Sequence, residues 1–232
     1  MTLRGILNAA HGMQYFQRRV ETTSSNLANL ESDGFKSDLI TASLRPGTNI
    51  PDAVSTIDLS QGTLNHTGRD LDMAFEGPGF FTIGTPQGER LTRRGGMELD
   101  GLNRLSDGHG NLYLGEKGPI TLPSDESKIE IHPDGTVTAD GALLDRLRLV
   151  VPDDPSTLTK EGEGRFVASG KLSALEPGQS PLRQGAVEES NMNVMNGTID
   201  LVMIQRAYAS NVEALKAMDS VLGSVVNEVG KV

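Results

Sequence analysis

The sequence predicts an α+β fold: long N- and C-terminal helices paired as a coiled-coil-like bundle, with an all-β domain inserted between them. Three observations carry this expectation. Apolar residues return at steps of three and four near both ends of the chain. Between residues 71 and 169 the pattern changes to short alternating runs, and Asp-Gly turn dipeptides punctuate those runs. The expected division is a helix over 1–34, an extended linker over 35–70, the β domain over 71–169, a return linker over 170–190 and a helix over 191–232.

The N-terminal period runs through Leu3, Ile6, Ala10, Met13, Gln17, Val20, Ser24 and Leu27, with polar residues at two positions. Gly5 and Gly12 lie one heptad apart. Each costs about 1 kcal/mol against alanine in a helix, so a neighbouring backbone passing close by would explain them. Asp33-Gly34 is the expected stop. Residues 35–70 show little period, and Arg45-Pro46-Gly47 and Ile50-Pro51-Asp52 break any regular element, apart from a short strand near Ser55 to Leu59.

In the β region, Phe80 to Thr85 and Glu89 to Arg93 flank Pro86-Gln87-Gly88, the pattern of a hairpin. Turns are expected at Asp100-Gly101, Asp107-Gly108, Asp134-Gly135 and Asp140-Gly141. Lys128 to His132 alternates. So does Arg146 to Val151, with Leu147, Leu149 and Val151 on one face, and Arg165 to Ser169 closes the set. The return linker contains Pro177-Gly178 and Pro181.

The C-terminal helix has the clearest pattern. Leu201, Ile204, Tyr208, Leu215, Met218, Leu222, Val225 and Val229 form a heptad seam, with polar Asn211 in the same register. Ala207, Val212, Ala214, Val221 and Val226 widen the apolar stripe beyond what one partner helix covers, so more than one neighbour is expected. Ser190 and Asn191 are candidate N-caps, and Gly230 is the candidate C-terminal stop. A helix from Asn193 to Val229 would be roughly 55 Å long.

Composition excludes several function classes. The chain has 232 residues, no cysteine and a net charge of -10. Zero cysteine removes disulfides and thiolate metal sites. The acidic balance argues against nucleic acid as a partner, because phosphate contacts need a basic surface. No apolar run approaches the roughly 18 residues of a membrane span. The N-terminal residues lack the sustained apolar core of a secretory signal, so any export is expected to proceed without cleaving one.

No catalytic, cofactor-binding or metal constellation is expected either. His11, His66, His109 and His132 are scattered. Gly77-Pro78-Gly79 lacks the next glycine of a dinucleotide loop, and Asp107-Gly108-His109-Gly110-Asn111 lacks, in register, the glycine and distal glutamate of a calcium loop. Asp153-Asp154 and Glu188-Glu189 are read as solvated loop and helix-start charges.

Four motifs resemble one family. Ser25-Asn26-Leu27-Ala28-Asn29-Leu30 with Gly34-Phe35-Lys36 is similar to the end of the N-terminal helix in bacterial flagellar rod and hook proteins. Gln61-Gly62 through Arg69 to Phe81 looks like the entry to that family's β domain. Gln184 to Asn191 and Met203-Ile204-Gln205-Arg206-Ala207-Tyr208 resemble its C-terminal signature. Gly118 to Pro123 followed by Asp134-Gly135-Thr136-Val137 looks most like the proximal rod branch, with distal rod or hook-type axial proteins as the alternative. Glu31-Ser32-Asp33 departs from the family's small polar residues at that turn.

The resemblance implies a subunit that polymerises through its terminal helices into a hollow driveshaft passing torque to the hook. It would sit in the periplasmic rod of the basal body, after export through the flagellar type III apparatus. Its partners would be itself or other rod subunits. The candidate assembly residues are Leu3, Ile6, Met13, Val20, Leu27 and Asn29 at one end, and Leu201, Ile204, Tyr208, Asn211, Leu215, Met218, Leu222 and Val225 at the other. The competing reading is a β-domain binding module or enzyme with oligomerising helical arms.

Overall fold

The computed structural model describes residues 2–44, 51–124, 128–176 and 178–229. Arg45-Pro46-Gly47, Ile50, Pro177 and Gly230 lie outside the described residues. The chain divides into two compact units. A helical unit comprises Met1–Ala28, Asp38–Thr56 and Met192–Val232, and a β unit comprises Asn29–Ser37 and Ile57–Asn191.

The helical unit holds α1 (Thr2–Ala28), β1 (Asp38–Leu44) and all but the last residue of β2 (Pro51–Ile57) early in the chain, and α2 (Val194–Val229) at its end. β1 and β2 form a two-stranded sheet within the stretch expected to be linker. Asn26 ties the end of α1 to the start of this sheet. Its Nδ2 donates to the Asp38 carbonyl at 2.8 Å and its Oδ1 accepts from Asp38 N at 3.0 Å. Within the unit, a Cβ built on Gly12 would lie 3.6 Å from Asn211 Nδ2, and one on Gly197 would lie 3.4 Å from Leu27 Cδ1. Gly12 thus faces a side chain at ordinary contact distance, and not the close neighbouring backbone that its place in the helix suggests.

The expected fold class needs correction. Among the described residues the chain is β-rich, with 18 strands and only two α-helices, and they show no long coiled-coil-like helix pair. The residues explain why. A seam of interlocking side chains needs every position filled, yet Gln17 and Ser24 of the α1 period face solvent. Asn26, off that period, is the buried residue in the last turn of α1. The helix expected over 191–232 starts at Val194, and its cap is Asn193, whose Oδ1 accepts from Asn196 N at 3.0 Å.

The β unit runs β3 (Leu64–His66), β4 (Met73–Phe75), β5 (Phe80–Thr85), β6 (Gly88–Thr92), β7 (Glu98–Leu99), β8 (Leu105–Ser106), β9 (Leu112–Tyr113), β10 (Ile129–Ile131), β11 (Thr136–Ala139), β12 (Ala142–Arg146) and β13 (Leu149–Pro152). It continues through β14 (Leu158–Gly162), β15 (Arg165–Ala168), β16 (Leu172–Ala174), β17 (Leu182–Gln184) and β18 (Ala186–Glu188). The main sheet follows the order β14-β15-β6-β5-β9-β8-β7, with β13 paired to both β5 and β16. β10, β11 and β12 make a second sheet, and two pairs, β17–β4 and β18–β3, complete the unit.

β5 organises the core because both of its faces are buried. Phe81 and Ile83 join a cluster with Met73, Phe75 and Tyr113, while Phe80 packs with Leu91, Val150, Leu158 and Phe166. The rings meet at 4.5 Å for Phe75–Phe81 and edge-on at 5.4 Å for Phe80–Phe166. The expected β5–β6 hairpin is present. The alternating run from Arg146 to Val151 is instead split between β12 and β13, since Arg146 ends one strand and Leu149 begins the next. The supposed return linker supplies β16, β17 and β18.

Candidate functional site

The family-like motifs at residues 34–36, 61–62 and 184–191 converge in the β unit around one carboxylate. Glu188 is 1 % exposed. Lys36 Nζ lies 2.6 Å from its Oε1, and Arg93 approaches its Oε2 through Nη2 at 2.6 Å and Nε at 2.9 Å. Gly62 N donates to Oε1 at 2.9 Å. Two cations thus meet one anion in a dry place. Carbonyl oxygens offset the excess positive charge: Lys36 donates to Ser60 O at 2.6 Å, and Arg93 Nη1 donates to Gly77 O at 2.9 Å and Gly79 O at 2.6 Å. Arg93 also stacks 4.8 Å over the Phe75 ring. Burial pushes the Lys36 and Arg93 pKa values down, and the Glu188 carboxylate opposes that by hydrogen bond and charge.

Backbone and amide bonds complete this junction. Gly34 N donates to the Glu188 carbonyl at 2.6 Å, and Glu189 N donates to Thr63 O at 2.8 Å. Asn191 accepts from Ser37 N at 2.8 Å and donates to Asp58 O at 2.9 Å. It is therefore a tie inside the β unit, where a helix cap was expected. Two glycines are required by space. A Cβ on Gly34, whose φ is +64°, would fall 2.5 Å from the Arg93 carbonyl, and one on Gly62 would fall 2.0 Å from the Glu189 oxygen. The residues just after α1 and just before α2 are thereby fastened to each other.

Sequence reasoning missed this site. An acidic pair ahead of a helix is an ordinary solvated pattern, and locally Glu188-Glu189 fits it. Its partner Lys36 lies 152 residues away. The alternation in Ala186-Val187-Glu188 after Gly185 is too short to mark a strand.

A second group of charges lies beside the junction. A Cβ on Gly96 would sit 3.6 Å from Asp33 Oδ2 and 3.9 Å from Asp72 Oδ1, so two carboxylates flank one glycine. Thr67 Oγ1 donates to Asp72 Oδ2 at 2.6 Å, and Arg69 Nε lies 3.7 Å from Asp72 Oδ1. Burial raises the Asp33 pKa; Arg94 opposes this, and the charges of Asp72 and Glu189 add to it. Asp33 therefore holds its proton more tightly folded than unfolded. Its contribution to stability is full below the unfolded value near about pH 4 and is lost as pH rises through the raised folded value. Asp33→Asn is expected to flatten this part of the stability curve, measured as urea midpoints from about pH 4 to 7. Parallel curves for the two proteins would show that Asp33 carries no such linkage.

In the helical unit, the predicted seam residues divide. Ile204 is buried; Met13, Val20, Leu27, Leu201, Tyr208, Asn211 and Leu215 are half-buried, and Met218 is exposed. The side chains of Leu3, Ile6, Leu222 and Val225 lie outside the described residues. Asn29 belongs to the β unit and is half-buried there. On the opposite side of α2, Met195, Ile199, Val202 and Met203 are exposed, Met195 by 73 %. The charge is partitioned as sharply. The helical unit holds seven Lys or Arg and seven Asp or Glu, leaving 14 and 24 in the β unit, which therefore carries the whole net charge of -10.

Three family profiles match the chain: "Flagella basal body rod protein" over residues 6–36, "Flagellar hook protein FlgE/F/G D1 domain" over 74–139, and "Flagellar basal body rod FlgEFG protein C-terminal" over 183–228. Among relatives, the flagellar basal-body rod protein FlgG of Bacillus subtilis (strain 168) is 28 % identical, across 97 % of this chain and 98 % of the relative. The FlgG protein of Buchnera aphidicola subsp. Acyrthosiphon pisum is 31 % identical, across 91 % and 94 %. The FlgF protein of Caulobacter vibrioides is 28 % identical, across 93 % and 94 %.

Proposed function

Since this chain belongs to the flagellar basal-body rod protein family, we infer that it is a structural subunit of the basal-body rod. It adds to the rod through its helical unit. The observation that carries this reading is the exposed apolar face of α2, at Ile199, Val202 and Met203, opposite the side that holds buried Ile204 and meets Gly12 of α1 at Asn211. One chain leaves that face wet, and a neighbouring copy or another rod subunit would cover it. The neutrality of the helical unit supports the same reading, because copies can pack there without like-charge repulsion. The assembled rod passes torque, and each repeat leaves a fresh interface for the next subunit.

The finer parts of the reading are a place in the proximal rod, supported by the motif from Gly118 to Val137, and a periplasmic position reached through the flagellar export apparatus. The test is Leu215→Asp, which puts a charge into the half-buried seam. The variant is expected to be missing from purified basal bodies, in cells that do not swim. Normal amounts of it in intact rods of motile cells would end this reading.

A further inference from the structure

The β unit is discontinuous in sequence, and its closing piece comes last. Residues 182–191 supply β17, which pairs with β4 (Leu182 opposite Phe75, Gln184 opposite Met73), and β18, which pairs with β3 (Ala186 opposite His66). Their bonds reach well beyond those partners. Leu182 N donates to Pro133 O at 2.9 Å, and Gly185 N donates to Asp72 O at 2.8 Å. Gln184 Nε2 donates to Asp70 O at 2.7 Å and to Ile129 O at 3.0 Å, joining β10 to the entry of β4. Without this segment β4 would lose a pairing partner, although Met73 and Phe75 are fully buried core residues. Lys36 and Arg93 would lose their shared carboxylate, and a charge stripped of its partner in a buried place is strongly unfavourable.

We propose that residues 182–191 are an obligatory latch: the β unit closes only when this segment is paired in place, which in the native chain seats Glu188 between Lys36 and Arg93. A chain that emerges N-terminus first, from a ribosome or through a secretion channel, therefore keeps its β unit open until everything but α2 and its flanks has emerged. The latch acts within one chain and does not depend on assembly, so it is tested on the monomer.

Native-state hydrogen exchange of the full-length monomer separates a latch from a detachable strap. If the latch holds the unit closed, amides of β5 and β6 open together with those of β17 and β18. Glu188→Gln keeps the shape of the side chain and removes its charge. It is expected to lower protection at least tenfold, by the same factor across β5, β6, β13, β17 and β18. A loss confined to residues 60–66 and 182–191, with β5 and β6 still protected as in the wild type, would overturn the proposal. The triple variant Lys36→Met, Arg93→Met, Glu188→Leu removes the unpaired charges altogether. It is expected to recover protection across all these strands relative to Glu188→Gln, and failure to recover would also count against the latch.

Discussion

Glu188→Ala is expected to destabilise the β unit by about 3–5 kcal/mol, the usual result of removing one partner from a buried ion pair. Here a single deletion strands two cations, Lys36 and Arg93, each within 2.6 Å of the lost carboxylate. Arg93 cannot escape by deprotonating, and Lys36 can do so only at the expense of its own charge. Gly62 N loses its acceptor as well. Domains are typically stable by about 5–15 kcal/mol, so the loss consumes a large fraction of the total. Urea unfolding followed through the β-sheet signal measures it. By comparison, Arg148→Ala removes an ion pair to Glu89 whose side chains are 39 % and 62 % exposed, and surface pairs are worth about 0–1 kcal/mol. Equal effects from Glu188→Ala and Arg148→Ala would show that the junction adds nothing to stability.

The double variant Ile199→Asp, Met203→Asp is expected to abolish addition to the rod and leave the monomer intact. Ile199 is 53 % and Met203 63 % exposed in the single chain. Surface changes of this kind usually alter stability by no more than about 0.5 kcal/mol. In a packed neighbour interface the same two carboxylates would be buried without partners, and burying an ionised carboxylate is far more costly than any apolar contact regains. Ile204→Ala is the converse case. Ile204 is 2 % exposed and already packed within one chain, so truncation should cost about 2–5 kcal/mol in the helical unit itself. Thermal unfolding of monomers, together with recovery of each variant in basal bodies, distinguishes the two. Normal rods built from the Ile199→Asp, Met203→Asp variant would mean that this face of α2 meets no neighbour.

The elements legible in the sequence are those whose cause lies within a few residues. The helix expected from Asn193 to Val229 is α2, and the hairpin expected around Pro86-Gln87-Gly88 is β5 and β6. A turn at Asp107 is held by its own carboxylate, whose Oδ1 accepts from His109 N at 2.9 Å and Asn111 N at 3.1 Å. The family was equally legible, because its motifs are contiguous strings. The candidate site was only half visible: the motifs that form it stood out, but their meeting point did not.

What the sequence determined by itself, then, is the presence of a helix near each end, the turns between short strands, and the family to which such ends belong; α1 stops at Ala28, short of the expected Asp33-Gly34, because Asn29–Ser37 fold into the β unit. The tertiary structure alone decided that α1 and α2 flank a β-rich chain and not a bundle, that residues 182–188 are strands, and that Glu188 is buried between Lys36 and Arg93. The physical reason is range. Helical period and turn chemistry act across three or four neighbouring residues, while strand pairing and ion burial depend on partners more than 90 residues away, and nothing in either local string marks the other.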